Sequence, residues 1–304
     1  MKLWLIYLPL VLISIALLPL VIYTATILFS GATSSKIISS GETRSYRLYV
    51  PTNYNSQTPS PLVVGIHGFA QWPENQAQVS RWNNLADEHG FIVVYPRGTG
   101  FPLRWRIGPD TDNGTGPEKE VRFIADLLNK LHDTYNIDPN HIYVNGLSNG
   151  GGMTFLLTCE LSERIAAAGM VAGAYTYPWG ACHPVRHVPA VIFHGTADKI
   201  VPYTGGEVRS GAAPLPDIPG WVAELAQRNG CKNAPKALPA NGEVSGVSYE
   251  GCTADVHFYT IAGGGHNWPG GGNLPKFIVG HKTEDIDATL VMWDFFQRHP
   301  LPQR

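Results

Sequence analysis

The chain lacks the features that would assign it to most large classes. Lys and Arg total 22 against 24 Asp and Glu, a formal net charge of −2 over 304 residues. With no basic block, it carries no electrostatic footprint for nucleic acid. Nothing repeats at a fixed period. There is no HExxH, no P-loop, no EF-hand loop and no strand followed by GxGxxG, so metallopeptidase, nucleotide and calcium readings have no residues to rest on. Cysteine is sparse, with four in all, and no two form a CxxC pair that would suit structural zinc. Cys182-His183 and His187 sit in a proline-flanked loop without a partner pair, so no metal ligand is assigned.

Charge is wholly absent from residues 3–29. As a helix these would run roughly 40 Å, longer than a ~30 Å hydrocarbon core and longer than the usual apolar region of a secretory signal. Residues 1–32 therefore read as a membrane anchor or, with Ser30-Gly31-Ala32 as a small-residue cleavage site, as a cleaved signal. A buried helix of the globular domain is the third reading. Orientation from charge is weak, because Lys2 is opposed by Lys36, Arg44 and Arg47. Four cysteines behind an export segment permit two disulfides. Of three connectivities, Cys159–Cys182 with Cys231–Cys252 closes short loops between consecutive elements; four buried thiols are the alternative. The domain is expected outside the cytoplasm, anchored or secreted.

Residues 33–43 read as a polar linker and 44–304 as one catalytic domain. The runs YRLYVP (46–51), PLVVGIHG (61–68), FIVVYP (91–96), HIYVNGLS (141–148), IAAAGMVAGAY (165–175), PAVIFHG (189–195) and VHFYTIAG (256–263) look like strands. Most are continuously apolar, as strands buried on both faces are. Helical patterns fall between them at 77–89, from Pro117, after Ser148, at 218–229 and at 283–298. In the second, Val121, Ile124, Leu128, Leu131 and Tyr135 share a face; in the last, Ile286, Leu290 and Trp293 are expected inward. This alternation predicts an α/β fold, a mostly parallel central sheet with helices on both faces.

Gly146-Leu147-Ser148-Asn149-Gly150 is a G-x-S-x-G placed between a predicted strand and a predicted helix. Such a nucleophile elbow holds its serine in a strained conformation, and the flanking glycines remove Cβ atoms that would clash. A serine hydroxyl needs a base to take its proton and a third group to orient that base. In α/β-hydrolases the chain order is serine, acid, histidine. PAVIFHGTADKIVPY supplies Asp198 after a later strand, and VHFYTIAGGGHNWPGGG supplies His266 after the last, in what reads as a flexible loop tip. Asp126 and Asp133 precede the serine, Asp217 follows no strand, and His194 reads as a strand-end histidine. The oxyanion donors are expected to be the backbone N–H groups of Asn149 and, in the loop IHGFAQW after an early strand, Phe69. His67 and Gly68 shape that turn. His67 and Trp72 are placed at the substrate pocket. Trp72, Trp82, Trp105 and Trp179 fall in or near loops, where they could stack on sugars or aromatic acyl groups.

The stretches VVGIHGF, FIVVYPRGTG, IDPNHIYVNGLSNGGGMTF, VIFHGTADKIVPY, RNGC, YEGC and FYTIAGGGHNWPG resemble the polyhydroxybutyrate depolymerase-like esterases. That α/β-hydrolase group includes secreted feruloyl and acetylxylan esterases. The resemblance covers roughly residues 43–298. It implies Ser148 as nucleophile, Asp198 as acid, His266 as base and Trp268 in the pocket, with carboxylic esters hydrolysed without a cofactor. Two departures are Lys119-Glu120, where an acidic pair is expected, and bulky Phe69, which would narrow the acyl pocket. The expected function is a serine esterase acting on polyhydroxyalkanoate oligomers or on feruloyl or acetyl esters of polysaccharide. Its partners are the ester substrate and, through residues 3–29 if uncleaved, a membrane. Two rivals are an acyltransferase or peptidase on the same fold, which an acceptor alcohol would reveal, and a non-catalytic polysaccharide binder, whose binding would survive Ser148→Ala.

Overall fold

Apolar runs such as Leu62-Val63-Val64 and Ile92-Val93-Val94 have no polar face to offer water, and they lie at the centre of a sheet. The computed structural model describes residues 32–108, 113, 115–207 and 214–302. Within these, ten strands form one sheet: β1 (Thr33–Ser39), β2 (Glu42–Tyr49), β3 (Ser60–Ile66), β4 (Ile92–Pro96), β5 (Ile137–Leu147), β6 (Ala167–Val171), β7 (Ala190–Gly195), β8 (Lys236–Asn241), β9 (Val244–Tyr249) and β10 (Val256–Ile261). The order is β1-β2-β4-β3-β5-β6-β7-β10-β9-β8. The six strands from β4 to β10 in that order are mutually parallel, and an antiparallel pair closes each edge.

Among the described residues, seven α-helices cover the sheet: α1 (Pro73–Ser80), α2 (Trp82–His89), α3 (Gly116–Thr134), α4 (Asn149–Glu160), α5 (Ile218–Arg228), α6 (Lys276–Val279) and α7 (Ala288–Gln297). Side chains alternate across the sheet. Val63, Val93 and Tyr143 pack with Trp82, Phe91, Trp293 and Phe296 on the side of α1, α2 and α7. Leu62, Val64, Ile92 and Val94 pack on the other with Phe123, Leu127 and Leu156 from α3 and α4. A third cluster joins α4 and α5 through Phe155 and Trp221. Helix starts are set locally. Pro117 stands in the first turn of α3 with Glu118 near its positive end. The Asp217 carboxylate caps α5 through Gly220 N–H at 2.8 Å, and that of Asp287 caps α7 through Thr289 N–H at 2.8 Å.

Four expectations are corrected. Residues 33–43, read as a linker, form β1, a turn and the start of β2, with Ser39 opposite Glu42. The helix expected at 77–89 is two helices, because Arg81 adopts a left-handed φ of 57°. The β8–β9 hairpin was not foreseen; β8, KALPAN, is almost wholly exposed and so lacks an apolar signal. Leu290, expected inward, is 53% exposed, while Trp293 is buried. The apolar segment 3–29 lies outside the described residues. Among the described residues no helix is long and apolar enough to cross a membrane.

Candidate active site

Leu147, Val171, Gly195 and Ile261 end four parallel strands at one edge of the sheet, with the register pairs Leu147↔Val171, Val171↔Phe193 and Ile261↔Gly195. The order of connection also reverses here, since β4 lies on one side of β3 and β5 on the other. Open parallel sheets leave their ligand crevice at this switch point, outside the carboxyl ends of the strands.

Ser148 occupies the turn between β5 and α4 with φ 60° and ψ −121°. A non-glycine residue there is strained by an amount of order 1–3 kcal/mol and must be held by its surroundings. Its N–H donates to Val171 O at 2.9 Å, and its carbonyl accepts from Gly152 and Ala174, both at 3.0 Å. The glycines on either side are required by contact. A Cβ on Gly146 would strike Gly150 O, and one on Gly150 would strike Ile66 O and come within 2.6 Å of His67 O. The Ser148 hydroxyl has no hydrogen-bond partner among the described residues.

Asp198 and His266 meet because the loops after β7 and β10 are laced together. Thr196 N–H donates to Ile261 O and Ala197 N–H to Gly264 O, both at 2.9 Å. A side chain on Gly195 would collide with Gly264 O. The Asp198 carboxylate accepts from His266 Nδ1 at 2.7 Å through Oδ2, and from the N–H groups of Ile200 and Val201 at 2.8 and 2.9 Å through Oδ1. Burial would raise this carboxyl. The hydrogen bond and charge of His266, the charge of His194 and the Val201 amide outweigh burial and hold it below the usual carboxylate range. With Nδ1 committed to Asp198, the second ring nitrogen of His266 is Nε2. His194 is buried and donates from Nε2 to Val201 O at 2.9 Å.

The loop carrying His266 is pinned rather than flexible. His266 N–H donates to Val279 O at 2.6 Å, and the Asn267 amide donates to the carbonyls of residues 279–281 at 3.0–3.3 Å. The glycines around it permit close backbone approach. A Cβ on Gly265 would strike Val279 O, and Cβ atoms on Gly271 and Gly272 would strike Val79 O and Gln78 O.

The loop after β3 touches the nucleophile turn: a Cβ on Gly68 would lie 3.3 Å from both Ser148 Cβ and Leu147 O. Gly68 N–H is taken by Gln71 Oε1 at 2.9 Å. No hydrogen bond engages the N–H of Phe69 or of Asn149 among the described residues. Asn149 is the first residue of α4, where helical N–H groups have no internal partner.

Two pocket assignments change. His67 is fully buried; Nδ1–H donates to Gly68 O at 2.8 Å and Nε2 accepts from Gly98 N–H at 3.0 Å. It is a brace between two loops, not a pocket wall. Trp268 is also fully buried, its indole N–H on Thr289 Oγ1 at 2.9 Å. Trp82 and Trp105 are buried as well, whereas Trp72 stands 37% exposed on this rim with the Arg97 guanidinium 4.6 Å over its ring.

Sequence reasoning missed how the 98–107 loop is fastened. Asn149 Oδ1 accepts from Trp105 N–H at 2.7 Å, and its amide donates back to Trp105 O at 3.1 Å. The Trp105 indole N–H donates to His67 O at 2.9 Å. Buried Glu120 binds Arg44 at 2.7 Å and Arg106 at 3.1 Å. The one available signal was the Asn after Ser148, a two-sided amide in place of a generic first-turn residue.

Comparison with known proteins gives a family-model match and a shared fold. Residues 44–185 match the family model for esterase PHB depolymerases. Among curated relatives, the bifunctional acetylxylan esterase/xylanase XynS20E of Neocallimastix patriciarum is 33% identical over 163 residues, 54% of this chain and 22% of that protein. Feruloyl esterase B of Piromyces equi is 30% identical over 231 residues, 71% of this chain and 41% of that protein. The chain thus spans less than half the length of either. The structure of an acetyl xylan esterase from Aspergillus awamori superposes with a TM-score of 0.60 at 19% identity, covering 77% of this chain and 94% of that one. The superposition shows that the chain has an α/β-hydrolase fold.

Proposed function

We propose that the protein is a serine esterase that hydrolyses carboxylic esters of polysaccharide through an acyl-enzyme. The observation that carries this is Ser148 held at φ 60° on the same sheet edge as the bonded Asp198–His266 pair. His266 Nε2 takes the proton of Ser148 as Oγ attacks the ester carbonyl, forming the C–O bond and a tetrahedral oxyanion. Asp198 holds the imidazole in the required tautomer and stabilises its charge. The Phe69 and Asn149 N–H groups receive the oxyanion; losing one such donor costs about 2.7–4 kcal/mol of barrier. The imidazolium then gives its proton to the leaving alcohol. Water, deprotonated by the same histidine, cleaves the acyl-enzyme to acid and free serine.

Relatives named for acetylxylan and feruloyl esters favour polysaccharide esters over polyester oligomers. The disulfides Cys159–Cys182 and Cys231–Cys252 suit an oxidising compartment outside the cytoplasm. Residues 3–29 would serve there as anchor or cleaved signal.

The test compares the full chain with Ser148→Ala on p-nitrophenyl acetate, methyl ferulate, acetylated xylan and 3-hydroxybutyrate oligomers. Turnover on the polysaccharide or ferulate esters, abolished in the variant, is expected. A folded protein that turns over none of the four overturns the reading.

A further inference from the structure

One cleft on the catalytic rim is unused by the mechanism. It encloses about 210 Å³ between the β1–β2 hairpin and the start of α1. Lys36, Arg47, Trp72, Glu74 and Arg97 line it with a short run of serines. Its charge is unbalanced, with three cations against one carboxylate, and that carboxylate, Glu74, is bound by Arg47 at 2.9 Å.

The cleft lies close to the nucleophile. Arg97 directly follows β4, and β4 and β5 flank β3, so two strand spacings, about 10 Å, separate Arg97 from Ser148. Arg97 stands on the opposite side of Ser148 from Asp198 and His266, which follow β7 and β10. Trp72 is four residues beyond Gly68, a reach of at most about 14 Å from the turn that touches Ser148. Loops at this end of the sheet also expose aromatic side chains: Phe69 is 53% exposed and Phe101 93%. Exposed aromatic surface beside a catalytic edge marks a binding surface.

The chemistry of the cleft is specific. Stacking on Trp72 fixes the plane of the Arg97 guanidinium but leaves its in-plane N–H donors available for a carboxylate. Lys36, exposed on the edge strand β1, adds a second cation. A partly exposed indole beside two cations fits a ring with one apolar face and one carboxylate.

We propose that this cleft is a specificity subsite for a uronic-acid unit of the polysaccharide, bound through Trp72, Arg97 and Lys36 while the ester lies at Ser148. The assignment rests on the ester-hydrolase reading, and its test separates the two. The full chain carrying Ser148→Ala is run by affinity gel electrophoresis against deacetylated glucuronoxylan and against the same polymer with its carboxyls reduced. Retardation by the charged polymer should correspond to about tenfold tighter binding, the scale of one charge-assisted hydrogen bond, and should fade at high salt. Adding Arg97→Gln, or Lys36→Gln on its exposed strand, should bring the two polymers toward equal binding. In the Ser148 chain the same tenfold ratio should appear in kcat/KM on the acetylated polymers.

Equal retardation by both polymers, or a preference that survives both Arg97→Gln and Lys36→Gln, overturns the subsite. So does a carboxylate preference confined to p-nitrophenyl hemisuccinate, which would put the charge on the acyl group. Retardation without turnover would leave the subsite standing and remove the esterase reading. Turnover without carboxylate preference would do the reverse.

Discussion

Lowering the pH should unfasten the loop that bears the proposed oxyanion donor Phe69, and the group responsible is His67. Its imidazole is fully buried, donating to Gly68 O and accepting from Gly98 N–H. Burial first, and then the charge of nearby Arg97, push it down to about 4 although the Gly68 carbonyl favours the proton. A protonated ring must also give up the Gly98 bond, because Nε2 would then be a donor facing a donor. The unfolded chain takes up this proton near its ordinary value of ~6.5, well before the folded protein does. The contribution of His67 is therefore fully present above about pH 6.5, is withdrawn as pH falls toward about 4, and is constant below that. Two and a half units at about 1.36 kcal/mol each give a loss of about 3 kcal/mol, a large part of a typical domain's stability. Urea unfolding of the wild type and His67→Gln at half-unit steps from pH 7.5 to 4 measures it. The wild type should lose about 3 kcal/mol more than the variant over that range, since other acid-sensitive groups are common to both. Parallel pH dependences would refute the argument and place the proton elsewhere.

Asp198→Asn should lower turnover by about 10⁴-fold with the fold intact, because His266 loses the acceptor that fixes its tautomer; steady-state kinetics beside circular dichroism checks both parts. In the wild type the stabilisation from Asp198 is present above the ordinary carboxylate value near ~3.9 and is lost as pH falls below it, a window separate from that of His67. Gly150→Ala should destabilise by several kcal/mol or abolish folding, since its Cβ meets the carbonyl oxygens of Ile66 and His67 and neither backbone can yield; thermal melting reads it. Asn149→Ala keeps the backbone N–H but frees Trp105, so kcat should fall by about tenfold while p-nitrophenyl acetate still turns over; an unchanged kcat would mean the loop needs no latch.

The parallel sheet and the candidate triad were legible because each is written in local chemistry. Continuous β-branched runs bury on both faces whatever their neighbours, and G-x-S-x-G after a strand has few uses other than a tight turn. Edge elements were not legible. β1 and β8 have no apolar periodicity because one margin of each faces water, and their strand character comes only from the partner beside them. Glycine misled in one place: the run around His266 resembles a flexible tip, yet it is packed against residues 78–79 and 279–280. A missing side chain allows both mobility and contact, and sequence does not distinguish them.

The sequence by itself therefore determined the fold class, the serine turn and Ser148, Asp198 and His266 as candidates in that chain order, all of which follow from patterns along the chain. Only the tertiary structure decided that His67 and Trp268 are buried supports, that Asn149 latches the loop at Trp105, and that Arg97 stacks on Trp72 at the rim. Each of those depends on which loops meet at the sheet edge, and residues far apart along the chain, as with Trp82 and Asn145 at a separation of 63, become neighbours only when strands pair out of sequence order.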